Sequence, residues 1–238
     1  MSRIERAMVL AAGLGKRMRP LTNDRPKPLV VLAGRTLLDR ALDSLAGGGI
    51  TEFVVNSHYK GEMIHAHLAG RDDIVLSPED PVLETGGGVK AALRHLGDGP
   101  FFVVNSDAVW RDGRESTVGR MAAHWDGTAM DALLLLVPMQ AVAGDMGSHP
   151  GDYHLEDDGR ARRRGAGETA PFLFGGIQIL HPRLFEGAPE GPFSLNILYD
   201  KAQKAGRLHG LRHDGEWYHV GTPGELAAAE AALAGRPG

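Results

Sequence analysis

Cysteine is absent from the 238 residues, so disulfides, thiolate metal centres and cysteine nucleophiles are excluded. None of the 11 histidines falls in an HExxH pattern or a similar metal-ligand spacing. No apolar run reaches the roughly 20 residues that span a bilayer. Polar Met1–Arg6 leads straight into a core-strand pattern, with no small-residue cleavage site behind it, so a cytoplasmic location without a membrane partner is expected. A formal charge of −4 lacks the basic footprint of a nucleic-acid binder, and any grip on an anion has to come from a local cluster of cations. There is no internal repeat and no low-complexity linker.

What is present is ordinary for a soluble globular chain: 42% hydrophobic and 24% charged residues, long enough to bury a core without staples. Short apolar strands alternate with amphipathic helices, which predicts an α/β fold. Ala7–Ala12 reads as a buried strand. Thr36 opens a helix with Leu37, Leu38, Ala41, Leu42 and Leu45 at helical spacing, ended by Gly47–Gly49. Strands are expected over Glu52–Asn56, Asp73–Leu76, Phe101–Asn105 and Asp131–Val137, and helices over Lys60–Leu68 and Gly88–Leu96. Beyond Val137, Asp152–Arg164 and Phe172–Leu180 read as antiparallel strands, followed by a helix between Leu195 and Ala205 and a strand over Trp217–Val220. Thr222-Pro223-Gly224-Glu225 is a strong helix start, with Gly235 as its end. Gly144–Gly151 is the expected flexible loop.

Directly after the first strand comes Gly13-Leu14-Gly15-Lys16-Arg17-Met18-Arg19-Pro20. Glycines let backbone N–H groups turn toward a phosphate, and Lys16, Arg17 and Arg19 add cations, so the segment makes an anion cradle. It is neither a dinucleotide fingerprint, whose third glycine is Met18 here, nor a Walker A loop, whose hydroxyl position is Arg17. Pro26-Lys27-Pro28 follows, a stiff segment that places one lysine with little entropy to lose. Glu84-Thr85-Gly86-Gly87-Gly88 precedes a helix, where bare backbone can receive a flat base or ribose. Phe101–Asp107 sets an acid just past a buried strand, where ligands collect in open α/β sheets.

Leu10–Thr22 followed by Pro26-Lys27-Pro28 resembles the signature of sugar-nucleotide pyrophosphorylases, the sugar-1-phosphate nucleotidyltransferases, and later motifs follow in that family's order. The Glu-Thr-Gly-Gly-Gly segment is most similar to the N-acetylmuramate-1-phosphate uridylyltransferase branch. The resemblance implies a Rossmann-like three-layer sandwich with a mixed, mainly parallel central sheet, the glycosyltransferase-A-like nucleotidyltransferase fold. It implies one domain over 1–238, with a nucleotide-binding half (1–137) and a sugar-phosphate-binding half (138–238). The reaction it implies joins a sugar 1-phosphate to a nucleoside triphosphate, UTP being favoured, with release of pyrophosphate and with Mg2+ as cofactor. Guanylyl, cytidylyl or thymidylyl transfer and a non-catalytic nucleotide-binding regulator stay open as alternatives. A monomer or small homo-oligomer is expected.

By position in those motifs, the resemblance assigns catalysis to Arg17, Lys27 and Asp107. Nucleotide binding falls on Ala11, Ala12, Gly13, Gly15, Lys16, Arg17, Glu84, Thr85, Gly86, Gly87 and Asn105. Lys27, Asp107, Gly175, Gly176, Glu168 and Asn196 are candidates for the acceptor. Asp107 is the first metal ligand. The second is normally an aspartate in Trp-x-Asp-x-Gly-Thr-Pro, but here the frame reads Trp217-Tyr218-His219-Val220-Gly221-Thr222-Pro223. His219 can ligate the metal, hold a metal-bound water or phosphate, or stand by, and Asp145 or Asp214 can supply a missing carboxylate. The Arg162–Arg164 run is a candidate for an acceptor carboxylate against the simpler reading of a solvated face. His58, His65 and His67 are expected to face solvent.

Overall fold

The computed structural model describes residues 3–143 and 149–234. Residues 144–148 of the expected loop, Asp145 among them, and Gly235 lie outside the described residues. Seven strands form the body of one sheet: β1 (Arg6–Leu10), β2 (Glu52–Ser57), β3 (Ile74–Pro78), β4 (Phe101–Asn105), β5 (Ala132–Pro138), β8 (Phe172–Leu180) and β9 (Leu208–Arg212). Across the sheet they run β9-β5-β8-β4-β1-β2-β3. Only β8 is reversed, being antiparallel to both β4 and β5, so the remaining strands share one direction. The sheet is therefore mixed and mainly parallel. The short strands β6 (Tyr153–Leu155) and β7 (Ala161–Arg163) extend it as a hairpin beside β8.

Period-two alternation in buried strands separates two apolar faces. Ala7, Val9, Phe102 and Val104 pack with Leu38 and Leu42 of α1 (Leu37–Gly47), Ile64 of α2 (Gly61–His67) and Met121 of α4 (Thr117–His124). Met8, Phe101 and Val103 pack the other way, with Val89 and Leu96 of α3 (Glu84–Leu96) and Leu198 and Tyr199 of α5 (Asn196–Lys204). The result is a helix-sheet-helix sandwich. A third apolar cluster joins Met18, Val30, Leu32 and Leu37 to Tyr218, Val220 and the buried face of α6 (Pro223–Ala234). The cation-bearing loop thus rests on the C-terminal helix rather than on the main core.

Most expected elements are in place within a residue or two. Thr36 caps α1 by accepting the Asp39 N–H at 3.0 Å, and Thr222 accepts the Glu225 N–H at 3.3 Å at the start of α6. Several elements escaped the sequence reading: α4, the edge strand β9, the short pair Val31–Leu32 and Arg35–Thr36, and the strands Val109–Arg111 and Val142–Ala143 that join the expected Glu216–Tyr218 strand in a small sheet. Helix α3 also starts earlier than expected. It begins at Glu84, so the three glycines lie inside its first turns and not ahead of it. Their amides show why: Gly86 and Gly87 both donate to the Phe193 carbonyl, at 2.8 and 3.1 Å, which docks the 191–195 segment on the helix.

Candidate active site

Because β1 to β4 run parallel, their carboxyl ends open on the same side, and the chain leaving each one lines a single cleft of about 230 Å³. Of the residues singled out in the sequence, Ala12, Gly13, Lys27, Glu84, Thr85, Asn105 and Asp107 line it. Ala11 is buried, its N–H donating to Asn56 Oδ1 at 2.6 Å.

The glycine-rich loop is stitched rather than loose. Gly15 takes φ +59°, the left-handed region that glycine tolerates best, ahead of a single 3₁₀ turn over Lys16–Met18. Its carbonyl accepts both the Met18 N–H at 3.0 Å and the Thr22 hydroxyl at 2.8 Å. A Cβ there would also meet Lys27 Cβ at 3.0 Å, so the lysine leans directly over the loop. Gly13 differs. A Cβ added to it meets nothing within 4 Å, which leaves its backbone bare toward the cleft. Lys16 and Arg17 are exposed, and among the described residues their side chains make no hydrogen bond or ion pair.

Lys27 Nζ lies 2.5 Å from Asp107 Oδ2, with the lysine side chain only 13% exposed and the aspartate 36%. A cation and a carboxylate from positions 80 residues apart are thus placed in one contact at the rim of β4. Arg17 arrives from the other side, against Gly221: a Cβ on Gly221 would stand 3.2 Å from Arg17 Nη1 and 2.9 Å from His219 Nε2. His219 packs its ring on Trp217, centroids 5.7 Å apart, and its Nε2 lies 3.5 Å from Glu225 Oε2. Burial pushes the His219 imidazole down, Glu225 and Asp107 pull it up, and Arg17 and Lys27 push it down again; the balance stays below the usual histidine range.

The donor set bears on magnesium. Among the described residues no group of three or more histidines and carboxylates is arranged to hold a metal. Magnesium commonly binds through one or two carboxylates and completes its shell with waters and substrate phosphates. Asp107, at the mouth of the cleft beside a bare glycine backbone, fits that kind of site, in which the triphosphate brings most of the ligands.

Sequence reading missed the floor of the cleft. Buried Asn56 accepts from Ala11 N–H and donates through Nδ2 to Glu79 Oε1 at 2.7 Å, while Glu79 Oε2 accepts the Leu83 N–H at 2.8 Å. This chain of bonds ties the ends of β1 and β2 to the start of α3. The available signal was Glu79 within a proline-flanked stretch after the third strand. Gly88 exists for the same reason, since a Cβ there would reach 2.5 Å from Glu79 Oε1. Gly86 and Gly87 are buried beneath Phe193 and Gly191, with Thr85 Oγ1 accepting the Leu195 N–H at 3.0 Å.

On the acceptor side, Gly175 and Gly176 sit at a bulge in β8. The Gly175 carbonyl accepts Trp217 Nε1–H at 3.0 Å, and Gly176, at φ +75°, stands where a Cβ would lie 3.0 Å from Asn105 Nδ2. Glu168 and Asn196 are not at the cleft: Glu168 pairs with Arg162 at 3.0 Å, and Asn196 begins α5. The arginine run is already engaged, Arg162 with Glu156 and Glu168, Arg163 with Asp200, and Arg164 with the carbonyls of Gly151, Gly165 and Glu168. Asp214 pairs with Arg120. The three histidines after β2 are not simply solvated, since His58 meets the Glu79 carbonyl, His65 the Ser57 hydroxyl and His67 the Asp39 carboxylate.

Known proteins are similar to this chain in sequence and in fold. The family model of the MobA-like NTP transferase domain matches residues 7–145. The N-acetylmuramate alpha-1-phosphate uridylyltransferase of Caulobacter vibrioides is 44% identical over 236 residues, covering 96% of each chain. Its namesake from Neisseria meningitidis serogroup B is 36% identical over 236 residues, covering 97% of this chain and 98% of the relative. Among solved structures, UDP-glucose pyrophosphorylase complexed with UDP-glucose superposes with a TM-score of 0.79 at 14% identity, over 98% of this chain and 100% of that one, a likeness of fold.

Proposed function

Since the chain belongs to the family of MobA-like NTP transferase domains, we propose that it joins N-acetylmuramate 1-phosphate to UTP, forming the UDP-sugar and releasing pyrophosphate, with magnesium as its metal. The class is plain: it is a sugar-1-phosphate nucleotidyltransferase. The observation that carries the chemical reading is the junction at the carboxyl ends of β1 and β4, where a bare Gly13 backbone and the Lys27–Asp107 pair meet in one cleft, with unpaired Arg17 beside Gly221 and His219.

An oxygen of the sugar phosphate attacks the α-phosphorus in line. The new P–O bond forms as the bridging bond to the β-phosphate breaks, and its electron pair leaves with pyrophosphate. No side chain has to become covalently attached, so positioning and charge neutralisation are the chain's whole contribution. Backbone N–H groups from Gly13 onward hold the triphosphate. Arg17, free of competing acids, neutralises charge on the leaving pyrophosphate. Lys27, stiffened between Pro26 and Pro28, orients the attacking phosphate while its ion pair keeps Asp107 at the cleft mouth. Asp107 is the residue that would hold magnesium, which would supply further charge neutralisation at the reacting phosphate.

A pyrophosphate-release panel crossing UTP, GTP, CTP and dTTP with several sugar 1-phosphates tests the reading. UTP with N-acetylmuramate 1-phosphate is expected to give the highest kcat/KM. A higher value for another pair would reassign base or sugar, and no release with any pair would overturn the proposal.

A further inference from the structure

Helix α6 begins with a capping box, and the box reaches one amide further than usual. Thr222 is the cap and accepts the Glu225 N–H at 3.3 Å; the reciprocal bond ordinarily runs from the cap residue's own N–H back to the glutamate. Besides its bonds with Thr222, the Glu225 carboxylate accepts through Oε2 from the Gly221 N–H, one residue earlier, at 2.8 Å. That reach takes the carboxylate off the helix end and up to the His219 ring, 3.5 Å from Nε2. The bare α-carbon of Gly221 is the meeting point. A Cβ there would lie 2.9 Å from Glu225 Oε2, 2.9 Å from His219 Nε2 and 3.2 Å from Arg17 Nη1.

The surroundings make this more than a cap. Leu226 and Ala229 of α6 bury against Met18, Val30 and Leu32, and Glu230 accepts the Ala33 N–H at 3.2 Å. The helix that carries Glu225 is therefore seated on the segment that carries Arg17 and Lys27. Glu225 and Asp107 act as negative charges on His219, against the cations Arg17 and Lys27.

We propose that Glu225 is a positioning residue of the transfer site, supplying its second negative charge indirectly by locking the Gly221 turn and holding the His219 ring beside Arg17. The carboxylate that position 219 lacks is in this way restored from six residues downstream, in the first turn of α6, behind an imidazole rather than on the metal. Outer partners of this kind change metal affinity by about 10- to 100-fold when removed. The inference rests on the nucleotidyl-transfer reading.

The test uses the full chain, with Glu225→Gln and Glu225→Ala, and calorimetric titration of UTP in excess magnesium and in EDTA. Glutamine keeps an acceptor for the Gly221 N–H and removes only the charge, so it carries the test if the alanine variant fails to fold. In Glu225→Gln the ratio of magnesium-UTP affinity to metal-free UTP affinity is expected to fall by about tenfold or more, while metal-free binding stays within about threefold of wild type. A Glu225→Gln ratio equal to wild type overturns the inference and leaves Glu225 a helix cap. A wild-type chain that binds no UTP under either condition overturns the UTP assignment on which this inference is tested, and the inference with it.

Discussion

Two glycine-to-alanine changes separate the cradle from the scaffold, because the structure gives an added methyl opposite surroundings at the two sites. At Gly13 the methyl meets no protein atom within 4 Å, and Gly13 is not in the left-handed region, so alanine fits without strain. Its effect on folding is then mainly a less free unfolded chain, worth about 0.4–1 kcal/mol of added stability. The same methyl fills the space where phosphate oxygens approach the backbone. Displacing them breaks one or two charge-assisted hydrogen bonds of about 1.5–3 kcal/mol each, an expected loss of about 10- to 100-fold or more in UTP affinity. At Gly86 the methyl would overlap the buried Phe193 ring and stand 2.8 Å from the Phe193 carbonyl oxygen. Overpacking of that kind is destabilising by about 1–3 kcal/mol, and each kcal/mol lowers Tm by about 2–4 °C in a chain of this size. Calorimetric UTP binding and thermal unfolding on both variants form the assay. Gly13→Ala is expected to bind weakly and melt no lower than wild type, whereas Gly86→Ala melts lower. Wild-type affinity in Gly13→Ala would refute the cradle. Lost affinity in Gly86→Ala with an unchanged Tm would instead put that glycine against the base.

Lys27→Ala and Arg17→Ala are each expected to lower kcat/KM by about 100-fold or more while Tm shifts by only a few degrees, since one ion pair is part-exposed and the other side chain is unpaired; steady-state kinetics beside thermal melts decide, and near-normal turnover in both would sink the mechanism. His219→Asp adds a second carboxylate beside Glu225, where negative charge is expected to favour magnesium, so its magnesium requirement is expected to fall in a magnesium titration of turnover; a requirement equal to wild type would show that charge at position 219 does not act on the metal. Burial pushes the Asp131 carboxyl up, but Arg183 at 2.5 Å and Arg207 at 2.8 Å outweigh it and hold it below the usual carboxylate range. Its stabilisation is fully present above the unfolded pKa of about 3.9 and is lost as pH falls through the lower folded value. Urea unfolding should therefore show Asp131→Asn weaker than wild type by about 2 kcal/mol near neutral pH and the gap closing at the acid end, and an equal gap at both would contradict the linkage.

What could be read ahead of the structure divides along physical lines. Local signals were sound: Thr36 and Thr222 announce helices because capping is a matter of four or five consecutive residues, and Phe101–Asn105 announces a buried strand because its apolar run has no other use. Strand β9 was missed because Leu208–Arg212 contains histidine, glycine and arginine and earns its place only by pairing with β5, 76 residues away at Leu208↔Ala132. Helix α4 was missed for a related reason, its short Thr117–His124 span making amphipathicity hard to read until Val118 and Met121 are seen against the sheet.

The site shows the same division. The Gly13–Arg19 loop and Lys27 were legible because their chemistry is written in adjacent residues. The Asn56–Glu79 floor was not, since each looks like an ordinary polar residue at a strand end until parallel pairing brings β1, β2 and β3 side by side. The glycines after Thr85 show the limit of such a local signal. Glycine in sequence signals only that a side chain is unwelcome, and whether a ligand or a neighbouring segment excludes it depends on what lies within a van der Waals radius. At Gly13 that space is open cleft, at Gly86 it is Phe193, and at Gly221 it is the side chains of Arg17, His219 and Glu225 at once. A glycine-rich motif is therefore a statement about crowding, and its meaning follows from the identity of the crowding atoms.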